Sequence, residues 1–204
     1  MEPQTKILHT ALDLFYKYGI KRVTMDDIAR ELGMSKKTIY QYYKEKDDLV
    51  NQLCEAEMQK HEHKFETVHQ QANDSVHEML LISKHMQEMM NNINPLFFMD
   101  LQKFYPEALK RYKQFKDGCA TIQIKRNIAK GIELGVYRSS IDSDFAAKYR
   151  LMQIDAVMFG SYFSFDKFSF TQTHQLILDM FLHGLCTLKG HKLINKYKEI
   201  QEEE

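Results

Sequence analysis

The side chains with the clearest chemical potential lie close together, in a short polar stretch that begins at Ser35. Glutamine can form paired hydrogen bonds with adenine, lysine can donate to guanine, and tyrosine hydroxyls can donate to phosphates. Ile39 is the main apolar residue of the stretch. The candidate base and phosphate contacts are Lys36, Lys37, Thr38, Tyr40, Gln41 and Tyr42. This combination of residue types is suited to contact with nucleic acid.

The flanking residues predict two short helices joined by a tight turn. Thr24 can cap the first helix, and Asp26 and Asp27 follow in its opening turn, where carboxylates suit the positive helix end. Gly33 suits the left-handed conformation that ends a helix, and Ser35 can cap the second helix. The expected apolar face of the first helix consists of Ile28, Ala29 and Leu32. The pattern fits a helix-turn-helix, but it fits equally well an ordinary helical hairpin with a solvated second helix.

A longer run of residues resembles a known family. The segment A-x-x-L-F-x-x-Y-G extends from Ala11 to Gly19, and T-M-D-D-I-A-R-E-L-G-M-S-K-K-T-I-Y-Q-Y-Y-K-E-K-D-D-L extends from Thr24 to Leu49. Together they resemble the DNA-binding domain of TetR-family transcriptional regulators. The resemblance covers about the first 50 residues and favours the helix-turn-helix over the helical hairpin.

The resemblance implies specific contacts with double-stranded DNA. The set that we expect to bind the operator is Thr24, Ser35, Lys36, Lys37, Thr38, Tyr40, Gln41, Tyr42 and Lys46. Lys46 lies in the first turn of the next predicted helix, where backbone amides can bind a phosphate; the alternative is a solvated lysine. Two residues depart from the family pattern. Lys37 replaces a small residue, which leaves the base preference open, and Tyr43 stands where Phe is more frequent but is expected to stay in the core.

The resemblance also implies an all-α, TetR-like architecture of about nine helices. We expect a three-helix helix-turn-helix domain at residues 1–50 and a helical effector-binding and dimerisation domain at residues 51–204. The sequence agrees with this class, since it has only three prolines and a sustained 3.6-residue apolar period. The last two long helices resemble the dimerisation pair of the family, which forms a four-helix bundle, so the resemblance implies a homodimer.

Apolar spacing places the main helices. It predicts a first helix over residues 5–18, a long helix from about Glu45 towards His63, and a last strong helix from about Thr171 to Leu188. The charged tail from His191 onward is expected to fray.

Three histidines on the long helix raise the question of a metal site. His61 and His63 are two residues apart, so on a helix they point about 200° apart and cannot share one ion. The sequence therefore predicts no metal site, and His61, His63 and His69 are expected on a solvated face. No cofactor is predicted either.

The second domain is rich in methionine and aromatic residues, which at helical spacing are often plain core. As a group they could also line an adaptable apolar cavity, where TetR-like regulators typically hold a small-molecule effector between the helices. The candidate effector contacts are Met86, Met90, Phe97, Phe98, Phe104, Met152, Phe159 and Phe163. We therefore expect a predominantly apolar effector whose identity the sequence does not give.

Charge and cysteine content bear on DNA affinity and on the cellular compartment. The formal net charge is zero, and residues 1–50 carry nine Lys and Arg against eight Asp and Glu, a net charge of about +1. One copy is thus expected to bind DNA modestly and with strong salt dependence, which favours a dimer. Three widely spaced cysteines and no leader or membrane-spanning run suggest a reducing cytoplasm and no membrane contact.

Together these features predict a ligand-responsive transcriptional repressor that a small, largely apolar effector releases from a palindromic operator. The alternative is a TetR-like DNA binder that activates genes, or that acts through a protein partner without a small-molecule effector. The sequence has no G-x-S-x-G, phosphate loop or paired Cys and His with an orienting group, so it predicts no enzyme.

Overall fold

The computed structural model describes residues 2–160 and 169–199. Within these ranges the chain is helical and forms no named strand. The α-helices are α1 (Pro3–Tyr18), α2 (Met25–Leu32), α3 (Lys36–Tyr42), α4 (Lys46–Gln71), α5 (Ser75–Met90), α6 (Leu96–Phe104), α7 (Pro106–Phe115), α8 (Thr121–Glu133), α9 (Ser143–Met158), α10 (Phe170–Leu185) and α11 (Leu188–Lys198). A π-helical turn at Lys116–Ala120 joins α7 to α8 without a break, so the described residues form ten separate helices. The predicted all-α class is confirmed.

Contacts within the chain group these helices into two compact units. The first unit contains Met1–His61 and Asn92–Phe115, and the second contains Glu62–Asn91 and Lys116–Glu204. Residue 50, where the sequence predicts the domain boundary, lies inside α4. None of the helices in the described ranges combines the length and the apolar character needed to span a membrane.

In the first unit, α1 and α6 support the helix-turn-helix pair. The apolar face of α1 is fully buried at Ile7, Ala11 and Phe15. The last turn of α1 is bonded to the segment just before α6, because the Asn94 amide donates to the Tyr16 carbonyl at 2.7 Å. The Lys21 amide donates to Asp100 Oδ2, also at 2.7 Å. These two bonds hold the end of α1 and the turn that follows it against α6.

The second unit has an apolar core with one polar network inside it. The core is formed by α5, α8, α9, α10 and α11. Within it, the Asn127 amide donates to the Ser75 carbonyl and to Glu78 Oε2, both at 2.9 Å. The Tyr137 hydroxyl donates to the same Ser75 carbonyl at 3.0 Å. Because these buried polar groups are paired, the network fixes α5 against α8 without an unpaired charge.

The end of the chain differs from the sequence prediction. The tail after His191 was expected to fray, and that prediction is wrong up to Lys198, because α11 packs into the second unit. Ile194 is fully buried, and the Tyr197 hydroxyl donates to Asp74 Oδ2 at 2.5 Å. Gly190 permits close approach, since a Cβ there would lie 2.8 Å from the Cys186 sulfur.

The histidines of α4 also differ from the prediction of a solvated face. His61 is buried, with its ring centroid 6.3 Å from that of Phe115. His69 Nδ1 lies 2.9 Å from Glu78 Oε1, which is itself buried. Only His63 is exposed as expected. No group of three or more metal-ligating residues in the described ranges is arranged to hold an ion.

Candidate DNA-binding site

Hydrogen bonds at its N-terminus hold α2 in the helix-turn-helix. The Thr24 hydroxyl accepts from the Asp27 amide at 3.2 Å, and the Thr24 amide donates to Asp27 Oδ2 at 2.9 Å. This reciprocal pair is a capping box, as the sequence predicted for the N-cap. The Thr24 hydroxyl, an expected DNA contact, is therefore engaged in capping in this structure.

The turn between α2 and α3 depends on one glycine. Gly33 adopts the left-handed conformation, with φ 62° and ψ 25°. Its amide donates to the Arg30 carbonyl at 3.2 Å, and the Met34 amide donates to the Ala29 carbonyl at 2.9 Å. These two bonds form a Schellman motif, which closes α2 and lets the chain reverse in two residues. Ser35 then caps α3 by accepting from the Thr38 amide at 3.1 Å.

The two faces of α3 separate packing from recognition. Ile39 and Tyr43 are fully buried, and the Tyr43 hydroxyl donates to the Gln4 carbonyl at 3.2 Å. The expected core position of Tyr43 is confirmed by its burial. On the opposite side the exposed candidates are Lys36, Lys37, Tyr40, Gln41 and Tyr42, with Thr38 half-buried among them. The structure thus brings the predicted recognition residues together on one exposed face.

Two local pairings occupy part of that face. Lys36 Nζ lies 2.9 Å from Asp26 Oδ2, and this bond raises the pKa of the lysine. The hydroxyls of Ser35 and Thr38 lie 2.8 Å apart. An exposed ion pair contributes little to stability, so a phosphate or a guanine edge can replace Asp26 as the partner of Lys36 at low cost.

Lys46 has a partner that the sequence did not suggest. Its Nζ donates to the Ile20 carbonyl at 2.6 Å and lies 5.7 Å from the centre of the Phe15 ring. Burial, followed by the nearby charge of Lys21, lowers the pKa of Lys46. The side chain ties the first turn of α4 to the turn after α1, while the phosphate contact stays a prediction.

The predicted effector contacts lie in different parts of the molecule. Phe97, Phe98 and Phe104 belong to α6 in the first unit, where the Phe97 ring packs edge-on against Tyr16 at 5.0 Å. Phe104 is exposed beside Lys21. In the second unit Met90 is buried, Met86 and Phe159 are half-buried and Met152 is exposed. Phe163 lies outside the described residues. Their effector role stays a prediction.

One buried pair in the second unit was not selected from the sequence. Arg150 of α9 is 4% exposed, and its guanidinium lies 3.1 Å from Nε2 of His174 on α10. Burial, followed by the positive charge of Arg150, lowers the pKa of His174 to about 3. Burial alone lowers the pKa of Arg150 to about 10. Isolated Arg and His carry no periodicity, so the sequence could not indicate that they meet.

A capped helix-turn-helix with a polar exposed recognition face, in an all-α chain, defines a DNA-binding regulator. Residues 7–53 match the family described as "Bacterial regulatory proteins, tetR family". A relative along most of the chain is the fatty acid metabolism regulator protein of Bacillus subtilis (strain 168). It is 23% identical over 190 residues, which cover 88% of this chain and 94% of the relative.

Two solved structures share the fold. FadR from Bacillus subtilis in complex with stearoyl-CoA has a TM-score of 0.68 at 19% identity, covering 89% of this chain and 98% of that one. A transcriptional regulator from Saccharomonospora viridis in complex with choline has a TM-score of 0.70 at 20% identity. The match covers 90% of this chain and 97% of that one. The family match therefore covers the helix-turn-helix segment at residues 7–53, and along most of its length the chain shares the fold of these transcriptional regulators.

Proposed function

We propose that the protein is a cytoplasmic homodimeric repressor, which binds a palindromic operator and is released by a small, largely apolar effector. DNA binding is supported by the exposed polar face of α3. The turn before this helix is held by the C-cap of α2 and the N-cap of α3. In a dimer, two such helices spaced by about 34–36 Å would enter successive major grooves on one side of the duplex.

Exposed apolar side chains on α9 and α10 support the dimer. Phe145 and Met152 on α9 are 70% and 58% exposed, and Leu176 and Met180 on α10 are 55% and 76% exposed. Large apolar side chains exposed at such spacing on two adjacent helices need to be covered. A second copy related by a twofold axis would cover the same face on both molecules, which is the commonest arrangement of homodimers. Met152 then fits the dimer surface better than the effector site for which it was predicted.

The relatives support the effector part of the proposal. The similar Bacillus subtilis protein is a fatty acid metabolism regulator, and FadR of the same fold has been solved with stearoyl-CoA. We therefore propose an effector with a long apolar chain. Its binding would favour one of two conformations of the dimer, change the separation of the recognition helices and weaken DNA binding.

The test of DNA reading is a titration of a labelled fragment from upstream of the gene of this protein, at several salt concentrations. We expect saturable binding that outcompetes random DNA, with a steep loss of affinity as salt rises. Lys37→Ala is expected to reduce the salt slope by about 1 if the lysine holds a phosphate. Tyr42→Phe removes only a hydroxyl and is expected to weaken binding about tenfold.

Lys192→Ala is the matched control, because Lys192 is an exposed lysine on α11 of the second unit and the change in net charge is the same. It is expected to bind like the unmodified protein. Equal effects of Lys37→Ala and Lys192→Ala would mean that α3 does not read the operator. Release of bound DNA by a long-chain apolar compound would support the proposal that the effector relieves repression. Tighter DNA binding in the presence of the compound would contradict it.

A further inference from the structure

The second unit contains a buried positive charge that no carboxylate neutralises among the described residues. Arg150 is 4% exposed and forms no ion pair within these ranges. Its hydrogen-bond partners there are neutral: Gln153 Oε1 at 3.4 Å and His174 Nε2 at 3.1 Å. The Phe181 ring, 5.7 Å from the guanidinium carbon, gives only partial compensation. A buried guanidinium normally has an anionic partner, because desolvating the charge alone is costly.

His174 adds a second donor without an acceptor. A guanidinium is always a donor, so Nε2 of His174 must accept from Arg150, which places the imidazole proton on Nδ1. The side chain is 1% exposed, and Nδ1 has no hydrogen-bond partner among the described residues. The pair therefore presents one positive charge without an anionic partner, and one N–H group without an acceptor, among the described residues. An anion would provide both the negative charge and the acceptor.

The location of the pair separates it from the proposed dimer surface. Successive residues of a helix turn by about 100°, so Arg150 lies about 140° from Phe145 and about 160° from Met152 around α9. On α10, His174 lies on the face of the buried residues Leu178 and Phe181, away from the exposed Leu176. The pair thus faces the interior of the second unit, where the effector is proposed to bind.

We propose that Arg150 and His174 bind the single anionic headgroup of an effector whose remaining body is an apolar chain. The guanidinium would hold the anion through charge-assisted hydrogen bonds, and the apolar residues around Phe181 would contact the chain. This inference rests on the proposed function, because it specifies the chemical class of the effector. It also explains how a largely apolar ligand acquires a fixed orientation.

The test compares probes with one chain length and different headgroups. Binding of dodecanoate, dodecyl phosphate, dodecanol and dodecylamine to the full chain is measured by calorimetry at pH 7.5, below their aggregation concentrations and without DNA. We expect the two anions to bind at least about tenfold more tightly than the alcohol, since a hydrogen-bonded ion pair is exchanged for a neutral bond. The amine is expected to bind most weakly. Preference between dodecanoate and dodecyl phosphate distinguishes a carboxylate from a phosphate headgroup.

Arg150→Gln is expected to abolish the preference for the anions, and Arg150→Lys to retain part of it. Arg126→Gln is the matched control, because Arg126 pairs with Glu66 at 3.1 Å and its loss should leave the preference unchanged. Equal binding of dodecanoate and dodecanol by the unmodified protein would overturn the inference, whether or not the variants fold. Failure of the protein to bind its operator would refute the proposed function instead, since the ligand titrations contain no DNA.

Discussion

Acid should weaken the fold through His174, and the size of the effect can be worked out from its environment. Burial and the charge of Arg150 lower the pKa of this histidine from 6.5 to about 3 in the folded chain. In the unfolded chain the pKa returns to its ordinary value. Between the two pKa values the unfolded state therefore binds a proton that the folded state refuses, so the free energy of unfolding falls as pH falls below about 6.5.

The expected loss is large enough to measure. Each pH unit below the unfolded pKa lowers the free energy of unfolding by about 1.4 kcal/mol. Between pH 7.5 and pH 5 the single histidine should therefore remove about 2 kcal/mol of stability. This figure holds for any folded pKa of about 4 or lower, because at pH 5 the folded imidazole is then still neutral. The contribution is complete above about pH 6.5 and is lost progressively towards pH 3.

The assay is urea unfolding of the unmodified protein and of His174→Gln at pH 7.5 and pH 5, at one protein concentration. The glutamine introduced by this substitution would not titrate, yet its amide oxygen could still accept from Arg150. The other histidines titrate equally in both proteins. The quantity to interpret is therefore how the difference in free energy of unfolding between the two proteins changes with pH. That difference should shrink or reverse by about 2 kcal/mol at pH 5. A difference that stays constant with pH would refute the inference that His174 is buried in its neutral form.

Three further changes test the packing of each unit. Gly190→Ala should lower the free energy of unfolding by about 2 kcal/mol by thermal melting, because a Cβ would press on the Val136 carbonyl. Gly184→Ala, with no atom within 4 Å of its Cβ, is the control, and equal melting temperatures would contradict the close approach of α11. Thr24→Ala should cost about 1 kcal/mol in urea unfolding through loss of the N-cap, and an unchanged midpoint would argue against it. Tyr137→Phe should cost about 1 kcal/mol, and a gain in stability would show that its buried hydroxyl bonds contribute nothing.

The helix-turn-helix was predictable because its determinants are local. Thr24 and Ser35 cap the starts of α2 and α3, and Gly33 ends α2. Each bonds to backbone groups within a few residues, so the residue types and their spacing are enough to predict the turn. The core position of Tyr43 was expected instead from the resemblance of this segment to the family. Short-range hydrogen bonding therefore accounts for the agreement between sequence and structure in this segment.

Prediction failed where a residue depends on a distant partner. The segment from His191 has a charged composition, and only the fit of Gly190 and Ile194 against the second unit makes it a packed helix. His61 is similarly buried by tertiary packing. For Phe97 and Phe98 the sequence showed apolar character but not which unit receives them. The Arg150 and His174 pairing, 24 residues apart, has no periodic pattern from which it could be inferred.

The first unit is assembled from two separated stretches of gene, residues 1–61 and 92–115. A hybrid regulator that exchanged only the amino-terminal stretch would have to form the bonds of Tyr16 to Asn94 and of Lys21 to Asp100 with residues from a different parent. Single-crossover recombination separates these partners. Operator specificity should therefore move between relatives intact only when both stretches are exchanged, and residues 94–100 should covary with residues 16–21 as the family diverges.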